Sequence, residues 1–371
     1  MWPLSAVAII YFDQITGSYA SASLIFSTYI LTQSLTELPT SLISDKWSRK
    51  KTLIMSGIFL ILSGFCFALA GNMHSTFLLF LGALFWGIGD AFNSGTDEAL
   101  MFETMKDLRK TEKYDIIFSA TKIYRWLGAA LSTVIAVPVI YFLNLNILAW
   151  VSILPAVCQL VICFFFVEPS NYEPSSSSTL KHFMEALKQF KENKKLQKIT
   201  IAQIMNYSWG ETQYRLNSIY YNLFIPLWAV DIVVFIYRIC SSIGFYFAIF
   251  MRKIGLFKMA FVSSTFKCIT IFLGLLINNV LSPFIISASS LATGGEHSAE
   301  SALLQKEFSD TQRATMRSIV AIFGGLLTTV SFYIFGLIAD MYSIYTALSV
   351  LLCYKITISI YYWVLMKQLN S

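Results

Sequence analysis

Several charged side chains stand inside long apolar segments of this chain, where they could bind a polar solute or carry a proton. Glu211 with Arg215, and Glu296 with Glu300, have the i, i+4 spacing that places two side chains on one face of a helix. Arg238 lies near the middle of another apolar segment. A charge deep in hydrocarbon costs at least ~2.5 kcal/mol, so such residues usually face a partner or a water-filled cavity. These five residues are therefore candidates for a substrate site or a proton site.

A second set of charges lies earlier in the chain. Asp97 and Glu98 in one apolar segment, and Arg125 in the next, lie at similar depths, roughly 8–12 Å from the same side at 1.5 Å of helix rise per residue. They can therefore meet as an ion pair that breaks and re-forms during gating, as a proton relay, or as a permanent structural pair. Asp90 lies near the middle of its segment and is predicted either to bind substrate or a proton, or to hydrogen-bond a neighbouring helix.

The composition explains why these charges stand out. Of 371 residues, 56% are hydrophobic and 13% are charged, about half the charged share of a soluble domain, and the mean hydropathy is +0.63. The apolar runs are about 20 residues long, the length of a membrane-spanning helix, whereas barrel strands are about 10 residues long and alternate. The sequence therefore predicts an all-α, multi-pass membrane protein embedded in the lipid bilayer.

The apolar runs predict a partial first helix followed by eleven complete spans. The partial helix is Met1–Phe12, and the complete spans are Tyr19–Ser44, Thr52–Ala70, Thr76–Phe102, Ile117–Phe142, Ile147–Val167, Ile199–Leu223, Leu227–Phe250, Phe257–Ile277, Leu281–Gln305, Thr315–Ala339 and Ile344–Met366. Because the corresponding first helix of the second half is complete, the sequence is expected to lack the beginning of its first helix. The alternative is a natural half-helix.

The bases indicate the orientation in the membrane. Lys and Arg cluster in alternate connections, including residues 46–51, the stretch 168–198 and the C-terminus, while the intervening connections carry none. The positive-inside rule then puts the 46–51 connection, the 168–198 stretch and the C-terminus in the cytoplasm, and the chain in the cytoplasmic membrane. The net charge of +6 is a consequence of this pattern, so nucleic acid is not an expected partner.

The stretch 168–198 divides the chain into two helical bundles, predicted as 1–167 and 199–371. It begins with a flexible run of Pro and Ser, and apolar residues at helical spacing over 180–190 then predict an amphipathic helix with a basic face. The bundles look like parallel repeats, because Asp97-Glu-Ala-Leu100 aligns with Glu300-Ser-Ala-Leu303. Such repeats joined by a long linker are typical of secondary transporters.

The connection after the second predicted helix resembles a motif of the major facilitator superfamily. Residues 41–53 read Ser-Leu-Ile-Ser-Asp-Lys-Trp-Ser-Arg-Lys-Lys-Thr-Leu, beside the family pattern Gly-x-Leu-Ala-Asp-Arg-x-Gly-Arg-Arg-x-x-Leu. Asp45, Arg49, Lys50 and Leu53 match it, and serines replace both glycines. The resemblance implies that Asp45, Arg49 and Lys50 form a cytoplasmic latch between the two bundles. The alternative is an ordinary positive-inside anchor.

Residues 93–100, Asn-Ser-Gly-Thr-Asp-Glu-Ala-Leu, also resemble a bacterial, drug-efflux-like group of this family. The family resemblance implies that the seventh, eighth and tenth helices line a central cavity. The five candidates Glu211, Arg215, Arg238, Glu296 and Glu300 would then meet there, as a substrate or proton cluster or as a self-neutralising network. Lys267 and Lys355 lie in helices that are peripheral in the family, which leaves pairing or snorkelling as their roles.

These features favour a secondary active transporter that exports a small amphipathic compound in exchange for protons. Asp90 stands where family antiporters often carry an arginine, and the antiporter Gly-Pro motif is degenerate. A uniporter or symporter importing a polar metabolite therefore stays open, as does a non-transporting relative acting as a receptor or scaffold. The sequence has no nucleotide-binding glycine loop, zinc-ligand spacing or nucleophile elbow. We therefore expect a monomer that is not an enzyme, holds no metal or other cofactor, and uses a proton gradient.

Overall fold

The computed structural model describes residues 2–110, 113–168, 188, 190–305 and 313–369. All regular secondary structure in these ranges is helical, as the sequence predicts. The first part contains a 3-10 turn, Pro3–Ala6, and the helices α1 (Ala8–Thr16), α2 (Tyr19–Lys46), α3 (Arg49–Met73), α4 (Thr76–Asn93), α5 (Thr96–Asp107), α6 (Tyr114–Phe142), α7 (Leu145–Val151) and α8 (Ile153–Phe165).

From residue 194 onward, the described residues form seven further helices and two 3-10 turns, Arg252–Ile254 and Ser289–Ala292. The helices are α9 (Lys194–Asn222), α10 (Leu227–Met251), α11 (Leu256–Ile277), α12 (Ser282–Ala288), α13 (Thr293–Gln305), α14 (Arg313–Met341) and α15 (Ile344–Leu369). The contacts divide the chain into two compact units. The first unit is Met1–Gly17 with Leu24–Thr179, and the second is Ser18–Ser23 with Leu180–Ser371.

Seven segments of the described residues are long and apolar enough to cross a membrane. They are Arg49–Met73, Thr76–Asp107, Leu145–Phe165, Leu227–Ile254, Leu256–Ile277, Val320–Met341 and Ile344–Gln368. A multi-pass membrane protein is therefore confirmed, and the figure of eleven complete spans stays a prediction.

Three of the predicted spans are interrupted helices: Ile147–Val167 divides into α7 and α8, and two others break near candidate acidic residues. The segment predicted as Thr76–Phe102 breaks between α4 and α5, where Gly95 has a φ of +74°, a conformation that is accessible to glycine and strained for most other residues. The segment predicted as Leu281–Gln305 divides into α12, the 3-10 turn Ser289–Ala292 and α13. Both breaks lie close to acidic residues, so they determine which way those side chains point.

Close backbone contact holds α13 and the turn before it against α10. A Cβ added to Gly294 would lie 2.2 Å from the backbone nitrogen of Phe245, and one added to Gly244 would lie 2.2 Å from the carbonyl oxygen of Leu291. Only glycine fits at such distances. The beginning of α13, which carries Glu296, is therefore fixed by direct packing against its neighbour.

The charged connection near Asp45 is shorter than the sequence suggests. Helix α2 continues to Lys46 and α3 begins at Arg49, so only Trp47 and Ser48 separate them. Arg49 and the two lysines after it occupy the first turn of α3, where positive charge opposes the helix dipole. An acidic partner at this end of α3 is therefore expected.

Candidate functional site

Four helices of the second unit bring charged and polar side chains to one buried place. Lys267 comes from α11, Glu296 from α13 and Lys355 from α15, and all three side chains are buried. The Lys267 ammonium donates to Oε2 of Glu296 at 2.6 Å, and the Lys355 ammonium donates to Oε1 at 2.5 Å. Each oxygen of the Glu296 carboxylate therefore has its own positive partner.

Glu300 lies one helical turn further along α13, and its environment differs. Its Oε1 accepts a hydrogen bond from Nδ2 of Asn206 on α9 at 2.7 Å, and another from the hydroxyl of Tyr362 on α15. Both donors are neutral. Asn206 also accepts a hydrogen bond from the Lys355 ammonium at 2.5 Å, so its amide links the Glu300 carboxyl to the Glu296 ion pairs.

An aromatic ring covers the two lysines. The ammonium of Lys355 lies 4.3 Å from the ring centroid of Trp209 on α9, and that of Lys267 lies 5.6 Å from it. Desolvated cation–π contacts at such distances contribute about 2 kcal/mol. The indole nitrogen of Trp209 donates to the carbonyl oxygen of Leu351 at 3.0 Å, which fixes the ring against α15.

We call these residues the charge network. Its members are Asn206, Trp209, Lys267, Glu296, Glu300, Lys355 and Tyr362. Two bases and two acids balance in number, which limits the cost of burying them. Ion pairs hold one carboxylate, whereas neutral hydrogen bonds hold the other. The network can therefore exchange a proton at Glu300 while the Glu296 ion pairs persist.

The sequence predicts that the five charges of the seventh, eighth and tenth helices meet, and the described contacts bring only some of them together. Glu296 and Glu300 contact lysines, Asn206 and Tyr362, which lie outside the predicted set. Arg238 is buried on α10, and its Nη2 donates to the hydroxyl of Tyr214 on α9 at 3.3 Å. Arg215 lies 5.4 Å from the same tyrosine ring, and Glu211 is half-buried one turn earlier on α9. Lys267 and Lys355 were expected either to pair or to snorkel, and the structure shows both paired with Glu296.

Asp90 contacts a neighbouring helix in the first unit. Its Oδ2 accepts a hydrogen bond from the hydroxyl of Tyr29 on α2 at 2.8 Å. The Tyr29 ring stacks on Trp86 with a centroid distance of 4.0 Å. The alternative interpretation of Asp90, a hydrogen bond to a neighbouring helix, is thus observed, and its role in binding a substrate or proton stays a prediction.

The other predicted charges of the first unit lie near the break between α4 and α5. Asp97 is exposed and Glu98 is half-buried, and Oδ1 of Asp97 accepts from the backbone nitrogen of Glu98 at 2.8 Å in the first turn of α5. The side chains of Arg125 and Asp45 lie outside the described residues. The expected pairing of Arg125 with Asp97 and Glu98, and the role of Asp45, therefore stay predictions.

Arg49 and Lys50 make their described contacts within the first unit. The Arg49 guanidinium pairs with Glu103 on α5 at 2.9 Å. Glu168, just after α8, accepts hydrogen bonds from the backbone nitrogens of Arg49 at 2.7 Å and Lys50 at 3.1 Å, and also from the Ser48 hydroxyl. This carboxylate is the acidic partner that the N-terminus of α3 requires. A latch between the bundles stays a prediction.

Sequence reasoning missed several residues of these sites. Asn206 and Tyr362 carry no charge, and Tyr362 is one of many aromatic residues, so nothing in the sequence distinguished them. Asp231, a fully buried acid on α10, was also missed. Its signal was plain, since it is an acid four residues into a predicted span.

Comparisons with known proteins agree with this architecture. A family profile described as Major Facilitator Superfamily matches residues 1–284. An uncharacterized transporter, BU466, of Buchnera aphidicola subsp. Acyrthosiphon pisum is 23% identical over 160 residues, which are 43% of this chain. The match spans only 39% of that relative's length.

Solved structures match almost the whole chain. A mutant form of the nucleoside transporter NupG superposes with a TM-score of 0.82 at 13% identity, covering 98% of this chain and 96% of that one. The E. coli fucose:proton symporter FucP gives a TM-score of 0.61 at 14% identity, with 98% and 94% covered. At such low identity the likeness shows the fold alone.

Proposed function

Because the chain belongs to the Major Facilitator Superfamily, a family of secondary transporters, we propose that it couples the movement of a small molecule across a membrane to the movement of a proton. The observation that carries the coupling is the buried charge network. Burying four ionisable groups between four helices is costly, and in membrane proteins such groups commonly form proton relays. Glu300 is the proposed proton site, because a proton can bind there without separating an ammonium from Glu296.

Two proposals remain for the transported compound and its direction. Export of an amphipathic compound is supported by the resemblance of residues 93–100 to drug-efflux-like transporters. Import of a polar metabolite is supported by the buried polar side chains of α9 and α10, among them Gln213, Asn217 and Asp231. Two of the structural neighbours are named for polar solutes, a nucleoside and fucose. The buried polar groups lead us to favour the polar substrate. A receptor or scaffold role is the remaining alternative.

The membrane arrangement is part of the proposal. The chain is proposed to be a monomer of the cytoplasmic membrane with eleven complete spans, bundles at 1–167 and 199–371, and a cytoplasmic linker at 168–198. Alternating access would then involve a latch at Asp45, Arg49 and Lys50, and a gate at the three residues Asp97, Glu98 and Arg125.

Transport by the purified chain in liposomes tests the proposed function. The liposomes are offered radiolabelled polar solutes and fluorescent amphipathic dyes under an imposed pH gradient. An acidic exterior tests uptake together with protons, and an acidic interior tests exchange of the compound for protons. We expect flux of at least one compound that depends on the gradient and stops when a protonophore collapses it. Flux that ignores the pH gradient would contradict proton coupling, and no flux of any compound would contradict transport.

A further inference from the structure

Further buried polar side chains lie on α9 and α10 and are not members of the charge network. Asp231 is 0% exposed, and neither of its carboxylate oxygens accepts a hydrogen bond from the described residues. Arg238, two turns along the same helix, acts on it electrostatically, while its guanidinium donates to Tyr214. Buried acids are normally hydrogen-bonded. The described residues supply no donor to the Asp231 carboxylate, so it is available to accept hydrogen bonds from a bound molecule.

Two amide oxygens on α9 are in the same situation. Gln213 is 5% exposed and Asn217 is 4% exposed, and neither Oε1 of Gln213 nor Oδ1 of Asn217 accepts a hydrogen bond within the described part of the chain. The two residues are one turn apart and share a face of the helix. Their oxygens add two acceptors to the two of Asp231.

Helix register brings Asn217 and Asp231 to one level, with Gln213 one helical turn further along α9. Helix α9 ends at Asn222 and α10 begins at Leu227, so the two helices form a hairpin. Asn217 and Asp231 each lie about 6–8 Å from its closed end, at 1.5 Å of rise per residue. The Tyr214–Arg238 hydrogen bond shows which faces of α9 and α10 are turned towards each other. Asn217 is one turn from Tyr214 and Asp231 is two turns from Arg238, so both lie on or near those faces.

The chemistry of the site selects its ligand. The four acceptor atoms of Asp231, Gln213 and Asn217 are oxygens, so the ligand must bring hydrogen-bond donors. Arg238 acts electrostatically on Asp231, so one positive charge balances the carboxylate and the ligand is neutral. Two carboxylate oxygens can accept from two neighbouring hydroxyl groups at once, and aromatic rings provide a stacking surface. The rings of Tyr214 and Tyr237 lie 5.6 Å apart beside Arg238.

We propose that Asp231, Gln213 and Asn217 bind a neutral solute that carries adjacent hydroxyl groups. This inference rests on the proposed transport function and names the class of compound transported. Asp231 accepts from the hydroxyl pair, and the two amides accept from further donors of the same solute.

Ligand-dependent stabilisation of the purified full-length chain tests this proposal without requiring transport. The hydroxyl-bearing probes are D-ribose, L-fucose, myo-inositol and uridine. The matched probes 2-deoxy-D-ribose and 2′-deoxyuridine each lack one hydroxyl of a pair, and sodium and choline chloride serve as cation probes. We expect at least one hydroxyl-bearing probe to raise the melting temperature, and its deoxygenated analogue to bind at least about tenfold more weakly.

Variants then locate the site. Asp231→Asn keeps the shape of the side chain and removes its charge, and we expect about tenfold to a hundredfold weaker binding of the stabilising probe. Asn217→Leu is expected to weaken binding by a smaller factor. Ser264→Ala removes another buried oxygen, on α11, that makes no hydrogen bond with the described residues, and it is expected to leave binding unchanged.

Several outcomes would overturn the proposal. These are stabilisation by none of the hydroxyl-bearing probes, equal stabilisation by the deoxygenated analogues, stabilisation by the cation probes alone, and unchanged binding in Asp231→Asn. The comparison of analogues uses the unmodified chain, so it decides the matter even where a variant does not fold. Binding that depends on Asp231 without any flux would contradict the transport function alone, and gradient-driven flux that ignores Asp231 would contradict this site alone.

Discussion

Lys355 and Glu296 form an ion pair of 2.5 Å at a point where neither side chain reaches the surface. Lys267 completes the arrangement from the other side of the carboxylate at 2.6 Å. Removing one partner of a buried ion pair leaves an uncompensated charge, which costs more than the pair itself contributes. The network is therefore sensitive to single substitutions in a way that surface charges are not.

Lys355→Met removes one of the two positive partners of Glu296 while keeping a side chain of similar length. We expect a loss of about 3–5 kcal/mol in the free energy of unfolding, because the carboxylate loses half of its compensation. The melting temperature in detergent measures the effect. Lys258→Met, at an exposed position of α11, is the matched control and is expected to be neutral. Equal melting temperatures for the two variants would refute the structural importance of the pair.

Lys355→Met combined with Glu296→Gln is expected to be less destabilising than the sum of the two single variants. Both charges disappear together, so no unpaired carboxylate remains opposite the missing ammonium. Direct contacts of this kind give coupling energies of about 0.5–3 kcal/mol in a double-mutant cycle. A coupling energy of zero would show that the two side chains do not stabilise each other.

Tyr362→Phe removes the hydroxyl that donates to Glu300 and changes little else. A hydrogen bond to a charged group contributes about 1.5–3 kcal/mol, so a lower melting temperature is expected, together with an altered pH profile of transport if Glu300 carries the proton. Tyr361→Phe, the neighbouring tyrosine that bonds only to the carbonyl oxygen of Lys198 in the described structure, is the control. If both variants behave alike, the Glu300 contact has no special role.

Gly294→Ala tests the close packing that holds α13. The added methyl group would lie 2.2 Å from the backbone nitrogen of Phe245, so the helices must separate, and we expect a clear drop in melting temperature. Gly210→Ala is the matched control within α9, where no described atom beyond the adjacent residues and the helix's own backbone lies within 4 Å of the new methyl group. Alanine favours the helix there by about 1 kcal/mol, so this variant is expected to be neutral or stabilising. The opposite order of stabilities would contradict the packing.

Glu168→Gln removes the carboxylate that binds the backbone nitrogens at the start of α3. A capping carboxylate of this kind contributes about 0.5–2 kcal/mol to stability. The bases in the first turn of α3 add a favourable electrostatic interaction with Glu168. We expect a moderate loss of stability that is larger at low salt. Glu192→Gln, at an exposed position before α9, serves for comparison. No difference between the two variants would show that Glu168 does not stabilise α3.

The sequence predicted the membrane class, the family and most of the buried charges, because apolar runs and charges within them are visible in one dimension. It could not predict which charges meet. Lys267 and Lys355 were assigned to peripheral helices, yet α11 and α15 turn these residues towards Glu296. The helix break at Gly95 depends on a backbone conformation, and the one before α13 on packing against α10, neither of which an apolar run reveals.

Glu300→Gln gives the most direct test of proton coupling. The variant keeps the shape of the side chain but cannot exchange a proton. The liposome assay uses the compound that the unmodified chain transports in response to the pH gradient. We expect gradient-driven accumulation of this compound to disappear, while exchange of labelled for unlabelled compound continues at a rate near that of the unmodified chain. Glu192→Gln is expected to retain both activities. Accumulation by Glu300→Gln at the unmodified level, under the same pH gradient, would contradict the central claim that Glu300 carries the coupled proton.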